Sequence, residues 1–291
     1  MSANPANQSS ERLEGVRAPI NYLGKMDEKP YSYNYTPPPG AIQTNRRTEP
    51  EIVAVHDARP IAAHLSLDRE GFAVVHDESA VSNFYDENEI RTVYYPECER
   101  LLKEATGAAK VVVFDHIVRN PVRNKAGEKW IKLPAKGAHN DYTLWSGPQR
   151  VRDFFPDEAE ALLKNRFAII NVWRPIRGPL QDSPLAVCDA QTIKLDDFVA
   201  SDLLYPDRKG ETYAVTFSPT HRWYYVPDMQ RDEAILLKCY DSAEDGRARF
   251  TAHTGFDDPT TPPNAIPRES IETRAFVFFF SPFTALRCRA H

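Results

Sequence analysis

Cysteine is scarce and scattered. The 291 residues hold four, Cys98, Cys188, Cys239 and Cys288, and no two form a CxxC pair. That spacing speaks against a structural zinc site and against a disulfide framework. A Lys/Arg block is also lacking, and the formal net charge is -5. The basic footprint that nucleic acid or an acidic membrane surface would need is therefore missing. No stretch approaches the roughly 20 apolar residues of a membrane-spanning helix. The opening Met-Ser-Ala-Asn-Pro-Ala-Asn-Gln-Ser-Ser is polar and lacks the apolar core of a signal peptide. No internal repeat is present. These absences predict a cytoplasmic protein with a small-molecule partner and neither nucleic acid nor membrane. What is present is a 42% hydrophobic chain, enough for a packed core.

Residues 1–50 are rich in Pro, Asn and Tyr and read as an extended N-terminal arm. The tyrosines Tyr22, Tyr31, Tyr33 and Tyr35 suggest an arm packed on the domain or on a second subunit, so a homodimer is one expectation. Residues 51–291 read as one domain. Ile52–Val55 and Gly71–His76 are short strand-like runs. Asp86 to Thr106 has helical spacing at Ile90, Val93, Tyr94, Leu101 and Leu102, with Gly107 as a stop and Pro96 as a point of interruption. From residue 110 onward strand follows strand. Val111–Val118 leads to a turn at Asn124–Gly127 and then Trp130–Leu133. After a helical Asp157–Leu163 come Ala168–Trp173, Leu185–Asp189, Tyr213–Phe217, Trp223–Val226, Ala234–Cys239, Arg249–His253 and Thr273–Phe280. The fold class is mainly β with flanking helices, a sandwich or barrel.

In Ala138-His139-Asn140-Asp141, a histidine and an aspartate stand two residues apart. On a strand they share a face. Two imidazoles and one carboxylate make a facial triad that leaves open positions on Fe(II). Two would take a 2-oxo acid and one O2. HxD alone is weak, and a surface histidine at a strand end is the plain alternative. His76-Asp77-Glu78 satisfies the looser HxE form but precedes the main strand series. A distal histidine is needed from His221, His253 or His291. His253 is preferred, because Arg268-Glu269-Ser270 follows it and leads into an apolar strand. Arg268 and Ser270 on one strand face suit the far carboxylate of 2-oxoglutarate. Arg274 shares their parity and competes for that role. Substrate contacts are expected from Trp130, Tyr142, Trp173, Trp223 and Tyr224, with Asn171 and Arg174 as polar candidates. Most of these aromatics could equally be core. His116 and Tyr94-Tyr95 read as structural.

Taken together, His139-x-Asp141, His253 and Arg268-x-Ser270 resemble the Fe(II)/2-oxoglutarate dioxygenases of the double-stranded β-helix (jelly-roll, cupin-like) fold. Asp232–Lys238 followed by Ala252-His253 is similar to the strand-then-histidine segment of phytanoyl-CoA hydroxylase-like members. More narrowly, the chain is similar over about residues 50–282 to the fungal CmcJ/NvfI-like group, which includes gibberellin desaturase-like proteins. His56-Asp57-Ala58-Arg59, Tyr94-Tyr95-Pro96-Glu97, Phe114-Asp115-His116, Arg119-Asn120, Asn171-Val172-Trp173-Arg174-Pro175 and Pro267–Glu272 carry that likeness. The resemblance implies Fe(II), 2-oxoglutarate and O2, metal ligands His139, Asp141 and His253, and an Arg268 anchor. It implies hydroxylation, desaturation or endoperoxidation of a hydrophobic terpenoid, meroterpenoid or polyketide in secondary metabolism. Asp141 argues against halogenation, since halogenating relatives lack this carboxylate. The competing readings are a non-catalytic β-barrel binding protein and a cupin dioxygenase without 2-oxoglutarate.

Overall fold

The structure is a computed structural model that describes residues 14–280. His291 and Cys288 lie outside the described residues. The strands are β1 (Gly15–Leu23), β2 (Tyr31–Tyr33), β3 (Thr48–Asp57), β4 (Phe72–His76), β5 (Lys110–Arg119), β6 (His139–Asn140) and β7 (Arg166–Pro175), then β8 (Leu185–Cys188), β9 (Phe198–Leu204), β10 (Lys209–Val215), β11 (Trp223–Tyr225), β12 (Glu233–Asp241), β13 (His253–Gly255) and β14 (Ser270–Phe279). They form two sheets that curl into a jelly roll. The smaller has the order β4-β12-β7-β14-β5, and the larger β1-β3-β11-β8-β13-β6-β10-β9-β2. All pairs in the small sheet are antiparallel.

The small sheet is buried on both faces, which explains the near-continuous apolar sequence of β7 and β12. One face meets the large sheet: Phe167, Ile169, Leu237 and Phe276 pack with Leu185, Val187, Tyr213 and Tyr224. The other face is covered by helix Tyr95–Thr106, whose Cys98, Leu101 and Leu102 sit at helical spacing over Ile170, Val172, Leu236 and Ala275. Full burial of each such aliphatic side chain contributes about 1.5–3 kcal/mol. Gly107 closes this helix in the left-handed region (φ 67°).

The helix expected over 86–106 contains a π-turn at Ile90–Tyr94, where the Tyr95 N–H donates to the Ile90 carbonyl. Pro96 follows directly. In a regular α-helix its ring would press on the Thr92 carbonyl, and the wider π-turn relieves that contact while the helix continues. Other expectations shift. Asn124–Gly127 is half helix, the end of Pro121–Lys125, which the Asn120 side chain caps, and Ala126 and Gly127 (φ 96°) keep turn geometry. Trp130–Leu133 is not a strand. It touches β5 through one bridge, Lys132 to Arg119, and Pro134 offers no N–H to extend the ladder. Arg249–His253 pairs only from His253 on, because the Thr251 amide donates instead to the Asn140 side chain.

The described part of the arm, from residue 14 on, is woven into the large sheet. β1 runs antiparallel to β3 over nine residue pairs, and β2 pairs with β9. The boundary read at residue 50 falls inside β3. Among the described residues, no helix is long and apolar enough to cross a membrane.

Candidate active site

β6 is two residues long and lies between β13 and β10. Its His139 is the direct cross-strand partner of His253. Directly opposed residues of an antiparallel pair project to the same side, and the two imidazole centroids lie 4.4 Å apart. Asp141, two residues beyond His139, turns to the same side. One ligand atom from each of His139, Asp141 and His253 lies within 4.8 Å of the others.

Each of the three is oriented from behind. His139 Nδ1 lies 2.7 Å from the Gly137 carbonyl and His253 Nδ1 lies 3.0 Å from the Thr251 carbonyl. A carbonyl only accepts, so both protons sit on Nδ1 and both Nε2 lone pairs face the cluster. Asn171 Nδ2 and Arg274 Nε donate to Asp141 Oδ2 at 2.8 and 2.9 Å, leaving Oδ1 toward the histidines, 3.6 Å from His139 Nε2. His253 Nε2 is buried with no hydrogen-bond partner among the described residues. A buried lone pair left empty is costly unless something else fills it. The donor set, two imidazoles and a carboxylate with their outer groups pinned, fits a divalent first-row metal such as Fe(II).

The electrostatics agree. Burial, and then the adjacent His253, push His139 down to about 3, so it is neutral and ready to ligate at physiological pH. Burial alone would raise Asp141, but Arg274 and the two imidazoles outweigh it and hold the carboxyl well below its usual range.

Beside the cluster is a tight cleft of about 10 Å³, bounded by Arg119, His139, Trp173, His253, Arg268 and Glu272. β14 presents Ser270, Glu272 and Arg274 on one face by alternation. Arg268, just before the strand, is buried and stacks over Trp173 at 5.3 Å. It donates to Ser270 Oγ (3.1 Å) and to the Ser183 carbonyl (2.7 Å). No carboxylate of the described residues comes within ion-pair distance of it. Burial, reinforced by Arg119, pushes Arg268 down to about 9, which still leaves it charged at neutral pH. The cleft shares Arg119, Ala135 and His139 with a larger cavity of about 330 Å³.

The other expected residues divide. Tyr142 lines the larger cavity and Trp173 the cleft. Arg274 is engaged elsewhere: it is paired with Asp141 and Asp115 (3.0 Å), and these carboxylates raise its pKa over the opposing effect of burial. Trp130 is half exposed against Tyr85. Trp223 is buried on the outer face of the large sheet, where its indole N–H donates to Tyr22 Oη at 2.6 Å. Neither tryptophan borders the cleft or the cavity. Tyr224 packs on Phe72 and His56. His221 pairs with Asp197 at 3.1 Å and stacks on Tyr22, away from the cluster. Asn171 faces the site, whereas Arg174, of opposite parity, faces the helix and pairs with Asp77. His116 hydrogen-bonds Tyr95 at 2.8 Å.

Several site residues were missed in the sequence, among them Arg119 and Glu272. Arg119 borders both spaces, and Glu272 accepts from Asn171 at 2.7 Å. Strand alternation carried the signal for each: Asp115, Ile117 and Arg119 share one face of β5, as Ser270, Glu272 and Arg274 do on β14.

A family described as oxidoreductase/YMDC permease-like domain matches residues 20–278. The hydroxylase/desaturase efuI of Hormonema carpetanum is 32% identical over 286 residues, covering 91% of this chain and 95% of that protein. The Fe(II)/2-oxoglutarate-dependent dioxygenase nvfI of Aspergillus novofumigatus is 34% identical over 254 residues, covering 84% and 90%. A solved structure of the iron and alpha-ketoglutarate-dependent endoperoxidase NvfI superposes with a TM-score of 0.83 at 31% identity, over 93% of this chain and all of the other.

Proposed function

Because this chain belongs to the Fe(II)/2-oxoglutarate-dependent dioxygenases akin to the hydroxylase/desaturases and NvfI, we propose that His139, Asp141 and His253 hold its iron and that Arg268 with Ser270 holds 2-oxoglutarate. The observation that carries this reading is the buried, unpartnered Nε2 of His253, aimed at His139 and Asp141 with its Nδ1 already fixed. Iron held there supplies the oxidant for a substrate C–H bond from 2-oxoglutarate and O2.

The protein's own contributions are positional. Gly137 and Thr251 carbonyls fix the imidazole tautomers. Asn171 and Arg274 keep one oxygen of Asp141 occupied, so that the carboxylate offers the other. Arg268 uses two of its five N–H groups on Ser270 and Ser183 and keeps the rest for an anion. A guanidinium buried without a counter-charge is costly, and a bidentate carboxylate relieves that cost. A dicarboxylate needs more room than the cleft has, so it widens on binding or draws on the space shared with the larger cavity. The substrate then lies in that cavity, against Ile117, Tyr142 and Trp145. We place its chemistry in hydroxylation, desaturation or endoperoxidation of a terpenoid, meroterpenoid or polyketide of secondary metabolism, supported by the relatives' activities.

The test is anaerobic reconstitution with Fe(II) followed by metal analysis. Wild type and His221→Ala should each retain one iron per chain, and His253→Ala none. Equal iron in His253→Ala and wild type would refute the ligand set. Succinate formation from 2-oxoglutarate checks the co-substrate.

A further inference from the structure

The larger cavity carries more positive charge than a purely apolar substrate calls for. Four carboxylates border it, and each has a cationic partner. Asp141 and Asp115 share Arg274, Asp153 faces Arg150 at 3.8 Å, and Glu211 is bound by Lys29 at 2.6 Å. Among the described residues, Arg46, Arg119 and Arg208, also on the wall, have no carboxylate partner, and Arg119 borders the co-substrate cleft as well. This holds in a chain whose net charge is -5, so the positive lining is local.

Arg46 stands out. It comes from the N-terminal arm, far in sequence from the metal cluster, and it is half-buried. Its Nε donates to Ser201 Oγ at 2.9 Å and its Nη2 to Thr212 Oγ1 at 3.1 Å. Those neutral hydroxyls orient the guanidinium without neutralising it and leave three of its five N–H groups unused. Burial lowers its pKa, the mark of a charge held at a cost in free energy. Arg208 lies at the exposed rim, its guanidinium 3.7 Å from the Tyr205 ring centre. Ile117, Tyr142, Trp145 and Leu203 give the same cavity an apolar stretch.

We propose that the substrate is an organic acid, with its anionic group bound by Arg46 and steered in by Arg208, and its hydrocarbon body on the apolar stretch facing His139. This rests on the proposed function and names the substrate class for that site. An ion pair at one end fixes which carbon of the body reaches the metal cluster, so Arg46 sets regiochemistry as well as affinity. Electrostatic attraction into a low-dielectric cavity also raises the capture rate of an anion.

The test measures binding of carboxylic acids of graded size, each matched with its uncharged methyl ester, by calorimetry. The protein is loaded anaerobically with Fe(II) and saturated with 2-oxoglutarate, so the co-substrate cleft is filled. Acids that fit should bind about tenfold or more tightly than their esters, the worth of one charge-assisted contact. Arg46→Gln should abolish that preference while leaving ester binding and the KM for 2-oxoglutarate unchanged. Arg46→Lys should retain part of it. A panel with no acid held above its ester overturns the proposal. So does a preference that survives Arg46→Gln, an equal loss for acid and ester, or a raised KM for 2-oxoglutarate in that variant. Failure of the cofactor reading shows separately, as missing iron or no heat from 2-oxoglutarate. The panel is then run on metal-free Arg268→Gln protein, where the same comparison decides the acid preference.

Discussion

The two sheets do different work. The small one is built from long antiparallel strands buried on both faces, and β14 alone contributes Ser270, Glu272 and Arg274 to the site. The large one is assembled partly from two- and three-residue strands, among them β6 and β13, which bring His139 and His253 together. The continuously buried strands are the long ones of the small sheet. The metal cluster sits where strands are short, held by side-chain and carbonyl contacts that leave ligand atoms free.

Leu236→Ala in the small sheet should test this contrast most strongly. Leu236 is fully buried between β4 and the helix layer, and its truncation should cost about 2–5 kcal/mol in denaturant unfolding. Leu185→Ala, the same truncation at a buried site of the four-residue β8 in the large sheet, should cost less, about 2 kcal/mol. Similar losses in both would erase the distinction. Next, Arg268→Gln should raise the KM for 2-oxoglutarate about 10- to 150-fold, from loss of a charged contact worth about 1.5–3 kcal/mol, with iron content unchanged. An unaltered KM would refute Arg268 as the anchor of the co-substrate. Asn171→Ala, which removes a small-sheet support from Asp141, should weaken iron binding about 10- to 100-fold. No change would mean that the short strands hold the cluster without help.

The smallest effect, taken per pH unit, is a pH slope. His139 is held below its unfolded value, so its contribution to the metal-free fold is complete above about pH 6.5. It is lost as the pH falls toward about 3, where the folded form also takes the proton. The stability of the metal-free protein against unfolding should fall by about 1.4 kcal/mol for each pH unit lowered within that window. His139→Gln should flatten the slope.

This contrast also governs what was legible. The strands of the small sheet announced themselves through apolar runs, and the HxD pair, the distal histidine and Arg268-x-Ser270 stood out by chemistry and order. The strands β2 and β9 went unread because their side chains are half-buried without a clear alternation, and β1, which does alternate through Ala18, Ile20 and Tyr22, was masked by Pro19 and by small and polar residues. Trp130 and Trp223 illustrate a second limit. A tryptophan near the motif serves a pocket or a core equally well by composition, and only the layer packed against it decides. Arg46 was invisible for a third reason: its place in the cavity depends on β2 lying beside β9, a pairing of segments about 170 residues apart.

The cross-strand partnership of His139 with His253 bears on how the protein matures. The two residues are separated by more than a hundred positions, so the cluster does not exist until most of the chain has been synthesised and β13 has found its register. A one-residue slip of β13 would turn His253 to the opposite face. Iron held as proposed would therefore report on closure, since only correctly paired chains offer both imidazoles.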